Sequence, residues 1–221
     1  MKRRRWDAIL DRLPQDEKRL VGVEVGVWQG KMSIRLLTKR PELTLYLVDP
    51  WKAAEPGSSF AVSGAQMASF TQEQFDEAKA LTIARVEQFD RRAKVIEANS
   101  VAGAEEVLRR RVHVDFVFID GDHSYEGVRR DIEAWLPVLK QGTWVGFHDY
   151  GNLPNHPGVK EAVDEYFGAD RIEVDDDHTA FYRIEEKKQT TRSPGDEIRE
   201  TAGDSESGEK DTPPGDVEMS M

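Results

Sequence analysis

Two apolar runs between residues 112 and 150 end in groups able to do chemistry, Ile119-Asp120-Gly121-Asp122-His123 and Phe147-His148-Asp149-Tyr150. Buried strands that end this way bring carboxylates and imidazoles to one edge of a sheet. Asp120, His148 and Asp149, from two strand ends, can hold a hard divalent cation and leave positions open for a substrate hydroxyl, whose pKa the cation lowers. Without a metal, His123 or His148 would serve directly as a base near neutral pH. Upstream, Glu24-Val25-Gly26-Val27-Trp28-Gln29-Gly30 follows a short apolar run, and Asp49 closes the next. Gly26 and Gly30 read as a turn that lets a cofactor approach the backbone. Trp28 stands where a Gly-x-Gly-x-x-Gly turn has its second glycine, which disfavours a pyrophosphate and suits a ligand without phosphates. Asp49, roughly 20 residues further on, is placed to accept hydrogen bonds from both hydroxyls of a ribose. Asn99 and Ser100, after a third strand, face the adenine edge in this reading.

These residues need a scaffold, and the apolar spacing supplies one. Residues 6–13 carry Trp6, Ile9, Leu10 and Leu13 at helical spacing, ended by Pro14. Strands are expected at 20–27, 43–48, 94–96, 114–119 and 143–147, and helices at 31–38, 70–89, 101–110 and 125–139, with Lys140-Gln141-Gly142 as a helix-ending turn. The face of the helix at 70–89 is read as Phe75, Ala78, Leu81, Ile83 and Val86. A further helix starts at Pro157, and residues 171–174 and 179–184 form a hairpin whose Asp175-Asp176-Asp177-His178 link is a polar turn rather than a metal cluster. Five βα steps make a Rossmann-like, doubly wound, mostly parallel α/β sheet of about seven strands, with a C-terminal antiparallel hairpin and helices on both faces. Residues 1–19 form an N-terminal helix, 20–185 the catalytic-size domain, 52–69 a lid or acceptor-side insertion, and 186–221 a disordered acidic tail.

The formal net charge of −11 argues against a generally basic nucleic-acid-binding surface, and the Lys2-Arg3-Arg4-Arg5 cluster reads as a solvated chain end. There is no Cys, so disulfides and thiolate zinc sites are excluded, and no apolar run approaches a membrane span. A cytoplasmic protein with a small-molecule partner, and neither nucleic acid nor membrane, is the expectation; a homo-oligomer stays open.

The motifs Val23-Glu24-Val25-Gly26-Val27-Trp28-Gln29-Gly30, Val48-Asp49-Pro50-Trp51, residues 118–128 and His148-Asp149-Tyr150 resemble a class I S-adenosylmethionine-dependent methyltransferase. Within that superfamily the chain is most similar to the small-molecule group that includes macrocin-type sugar O-methyltransferases, over about residues 20–185. The resemblance implies S-adenosylmethionine as cofactor, bound by Glu24, Gly26, Trp28, Gly30, Asp49, Asn99, Ser100 and Asp120, with Glu24 and Gly26 along the methionine moiety. It implies Mg2+ at the places of Asp120, His148 and Asp149, with Asp122 as base, for methyl transfer to a hydroxyl of a sugar-like acceptor. His148 in place of one expected acid, with His123 as an additional imidazole, shifts the metal preference toward Mn2+. Two other readings stand beside it: a non-catalytic module binding an adenosyl ligand, and a metal-dependent hydrolase, the latter weakened by the lack of a multi-His spacing.

Overall fold

The computed structural model describes residues 3–62 and 66–185. The expected acidic tail at 186–221 lies outside them. In chain order the elements are α1 (Arg5–Arg12), β1 (Leu20–Val25), α2 (Lys31–Lys39), β2 (Leu43–Asp49), α3 (Ser59–Val62), α4 (Gln72–Val86), β3 (Ala93–Glu97), α5 (Ser100–Arg109), β4 (Val114–Ile119), α6 (Tyr125–Trp135), β5 (Leu139–Phe147), α7 (Pro157–Phe167), β6 (Glu173–Val174) and β7 (Ala180–Arg183). They build a seven-stranded sheet in the order β3-β2-β1-β4-β5-β7-β6. Strands β1 to β5 run parallel, β7 pairs antiparallel with β5, and the short edge strand β6 pairs antiparallel with β7. This is the Rossmann-like architecture the alternating pattern predicts.

The central strands are apolar almost throughout because both sheet faces are covered. On one face Ile9, Leu36, Leu37 and Phe75 carry α1, α2 and α4. On the other Val107, Ile132, Trp135 and Val163 carry α5, α6 and α7. Helix starts are chemically marked: Thr71 and Gln74 close a capping box on α4, Asn99 Oδ1 accepts the Ala102 amide, and Ser124 Oγ accepts the Gly127 amide. Strand order reverses between β1 and β4, and such a switch opens a crevice at the carboxyl ends of the strands. Glu24, Asp49, Asp120 and His148 all lie at that edge.

Three local expectations need correction. Residues 140–142 are not a helix-ending turn but belong to β5, whose pairing with β4 jumps from Val114↔Leu139 to Phe116↔Trp144. Pro137, with no amide to donate, already turns the end of α6 into the short 3-10 segment Leu136–Val138. The buried face of α4 is Phe75, Ala78, Thr82 and Val86, while Leu81 and Ile83 are exposed. Thr82 turns inward, its single hydroxyl proton shared between the carbonyls of Trp28, at 2.8 Å, and Ala78, at 2.9 Å. Third, the basic N-terminal cluster is not simply solvated. Arg3 pairs with Asp11 and Asp175, and Arg5 reaches into the crevice.

Candidate active site

The crevice is a cavity of about 910 Å³, within the range of small-molecule sites. One side of it begins at Gly26. With φ at +82°, and with any Cβ lying 2.0 Å from the Asp120 carbonyl oxygen, only glycine lets the ends of β1 and β4 approach so closely. Gly30, at φ +69°, starts α2. Trp28 also sits at positive φ, its indole packed against Phe70 and Phe75. The Trp28 carbonyl is held by the Trp51 indole N–H at 2.8 Å as well as by Thr82, so the loop is fixed from the side of α4.

Asp49 organises this loop. Its Oδ2 accepts the Val27 and Trp28 amides, both at 2.9 Å, and its Oδ1 accepts the Trp51 amide at 2.7 Å. The carboxylate is buried, which raises its pKa against the pull of these three bonds. Oδ1, with one bond, keeps capacity for a further donor. Glu24 lies deeper, accepting the Ser33 hydroxyl at 2.6 Å, and burial pushes its carboxyl up to about 8. Asn99 and Ser100 line the cavity, but both side chains are engaged: Asn99 caps α5, and Ser100 Oγ accepts the Trp135 indole N–H at 2.8 Å.

Elsewhere in the cavity the structure brings Asp120, His148 and Asp149 together and adds His123 to them. One donor atom from each of the four lies within 4.8 Å of the others. His148 Nδ1 is 3.1 Å from Asp120 Oδ1 and 2.9 Å from Asp149 Oδ2, and His123 Nε2 is 3.4 and 3.2 Å from the same two oxygens. For both imidazoles burial alone would lower the pKa, but the two carboxylates outweigh it and raise each to about 9. Asp120 and Asp149 are held below the usual carboxylate range, burial being overcome at Asp120 by the His148 and Arg5 charges and at Asp149 by hydrogen bonds from both histidines. Asp149 occupies the left-handed region at φ +60°, steadied by the Asn152 side chain. Two carboxylates and two imidazoles form a donor set suited to a divalent cation that takes mixed nitrogen and oxygen ligands, Mn2+ rather than Mg2+.

Asp122 lies on the opposite lip. It accepts the Ser59 hydroxyl from α3 at 2.5 Å and lies 3.5 Å from Arg130. Lys52, Phe60, Gln66 and Met67 are among the residues that line the cavity. Sequence reading missed Arg5, whose guanidinium donates to Asp120 Oδ2 at 2.8 Å while its own amide donates to Asp177. It also missed His156, whose ring lies tilted 4.4 Å from the His123 ring, and Asp131 within α6. Helical periodicity marks Asp131 only as a polar residue on a mostly apolar face, and nothing local announces Arg5.

A family model for a domain described as "Methyltransferase domain" matches residues 23–150. CalS11, a calicheamicin methyltransferase, is similar in structure at a TM-score of 0.62 and 18% identity, over 80% of this chain and 76% of that one. The O-methyltransferase NovP gives 0.52 at 18% identity, over 81% and 76%. An O-methyltransferase from Bacillus cereus, solved with SAH, gives 0.50 at 13% identity, over 80% and 88%. At these identities the likeness establishes the fold. Among curated proteins, the uncharacterized protein R132 of Acanthamoeba polyphaga mimivirus is 35% identical over 52 residues, and the match spans 24% of either chain, about a quarter of that relative's length. No helix among the described residues is long and apolar enough to cross a membrane.

Proposed function

Because the chain belongs to the methyltransferase domain family, we propose that it moves the methyl group of S-adenosylmethionine to a hydroxyl of a small-molecule acceptor, a sugar-like one by resemblance. The observation that carries this is the single crevice in which a glycine turn with a ribose-type acid, Asp49, meets an Asp/His cluster. The acceptor oxygen attacks the methyl carbon in line with the sulfonium. The carbon–sulfur bond breaks, its electron pair stays on sulfur, and the hydroxyl proton must go to a base.

In this reading Glu24, Gly26, Trp28 and Gly30 follow the methionine portion, Asp49 Oδ1 takes a ribose hydroxyl, and Asn99 and Ser100 flank the base. Asp120 separates the cofactor from the reaction side. Asp122 is the proton acceptor, since His123 and His148, raised to about 9, are imidazolium at neutral pH and act first as hydrogen-bond donors that orient the acceptor. Asp120 and Asp149 would hold a divalent cation together with His148 and His123, which must give up their protons to ligate it. Such an ion would lower the acceptor hydroxyl's pKa and help orient it. The same cluster alone would suit a hydrolase, but the family membership favours methyl transfer.

Calorimetric titration with S-adenosylhomocysteine, with and without Mn2+ or Mg2+ and with NAD as control, tests the cofactor. Micromolar binding of S-adenosylhomocysteine and none of NAD is expected, followed by methyl consumption across a panel of hydroxyl acceptors that Asp120→Ala abolishes. Absence of S-adenosylhomocysteine binding overturns the proposal. Binding with no methyl consumption on any acceptor returns the chain to the interaction-module reading.

A further inference from the structure

Asp131 is the buried acid that this chemistry leaves unused. It lies on α6, is 4% exposed, and lines the cavity beside Ser100 and Gly121. Its Oδ2 has no hydrogen-bond partner in the protein and would lie 3.9 Å from a Cβ built on Gly121, so it sits just beneath the glycine that follows Asp120. An unpaired buried polar atom of this kind is costly unless a ligand completes it. The direction of the bonds around it is fixed. The Trp135 indole N–H can only donate, and it donates to Ser100 Oγ, so the Ser100 hydroxyl proton is left for the Asp131 carboxyl, with which it hydrogen-bonds. One carboxyl oxygen is thereby used inside the protein, and the other remains for whatever occupies the cavity.

The position selects the ligand group. Asn99 and Ser100 at the start of α5, Gly121 and Asp131 line the same crevice as Asp49, and Asp131 is tied to two of them, by its bond from Ser100 and its approach to Gly121. If Asp49 holds the ribose, the flat base attached to that ribose lies against these residues. Glycine at 121 leaves room for a ring face there. Among the described residues no salt bridge reaches Asp131, and burial, with the Asp122 charge, pushes its carboxyl up to about 7 against the Ser100 bond and the Arg130 and His123 charges.

We propose that Asp131 reads the exocyclic amino group of the cofactor's adenine, its unpaired Oδ2 accepting an N–H from the 6-amino nitrogen. This rests on S-adenosylmethionine being the cofactor. Asn99 and Ser100, both engaged in holding α5 and Trp135, then shape the base site without reading its edge.

The experiment titrates the full chain with three ligands: S-adenosylhomocysteine, S-inosylhomocysteine, which carries oxygen at position 6, and the analogue with hydrogen there. The wild type should bind the adenosyl ligand at least about tenfold more tightly than either analogue, as one lost hydrogen bond requires. Asp131→Asn, whose amide donates where the carboxylate accepts, should weaken S-adenosylhomocysteine about tenfold and bring the inosyl ligand level with it or ahead. Equal wild-type affinity for all three ligands, or an unchanged ratio in Asp131→Asn, overturns the inference while leaving the methyltransferase reading intact. Loss of all S-adenosylhomocysteine binding by the wild type overturns both. If Asp131→Asn does not fold, the three-ligand comparison on the wild type decides alone.

Discussion

Asp49→Ala separates two roles that one side chain holds at once. The carboxylate accepts three backbone amides, those of Val27, Trp28 and Trp51, at 2.7–2.9 Å. Alanine leaves all three without that partner, at about 1–3 kcal/mol each where water cannot reach them. Allowing for relaxation and for water entering the crevice, the loss is about 4 kcal/mol, which for a domain of this size lowers Tm by about 10 °C. The ribose contact adds a separate loss, about tenfold to a hundredfold in S-adenosylhomocysteine affinity for hydrogen bonds to a charged acceptor. Asp49→Asn is the control. Its one carbonyl oxygen can still serve Val27 and Trp28 but its amide cannot accept from Trp51, so it should lose less than half of the stability while still losing affinity. Thermal unfolding followed by circular dichroism, with calorimetry below the transition of each variant, reads both effects. A Tm for Asp49→Ala within about 2 °C of wild type would refute the loop-organising argument, and an unchanged affinity would refute the ribose assignment.

Three further outcomes follow from the same geometry. Gly26→Ala places a methyl 2.0 Å from the Asp120 carbonyl at a φ of +82°, and it should abolish S-adenosylhomocysteine binding or prevent folding; a soluble variant with wild-type affinity would contradict the close approach of β1 and β4. Glu24 has a folded pKa of about 8 against about 4.5 when unfolded, so both states are protonated below pH 4.5 and its burial costs nothing there. As pH rises from 4.5 to 8 the unfolded chain gains by ionising, stability falls by up to about 5 kcal/mol, and the loss levels off above 8. Glu24→Gln should therefore flatten urea-unfolding stability between pH 5 and 8, and a pH profile parallel to wild type would count against the buried neutral acid. Arg5→Gln removes a cation 2.8 Å from Asp120 and should tighten Mn2+ binding about tenfold by calorimetry; equal or weaker binding would show that Arg5 does not oppose a metal.

The order of elements, the parallel sheet and the strand ends that carry Asp49, Asp120 and His148 were legible from the chain alone, because buried parallel strands are continuous apolar runs and their ends are marked by glycine and acid. Local periodicity failed where a distant partner decided the matter. Thr82 faces inward with its hydroxyl at the Trp28 carbonyl, 54 residues away in sequence, while Leu81 and Ile83 are exposed. The site divides the same way. Residue types fixed which groups could do chemistry: two carboxylates, two imidazoles and a glycine turn. Their mutual arrangement came from strand order, which sets β4 between β1 and β5 and so brings His123 against Asp149 and makes a three-residue cluster one of four. Only the packed structure could put Arg5 of α1 on Asp120, 115 residues away, or leave one oxygen of Asp131 unpaired at the cavity wall. Such contacts depend on long-range packing and carry no local sequence signal. They also set the charges with which the site meets its ligands.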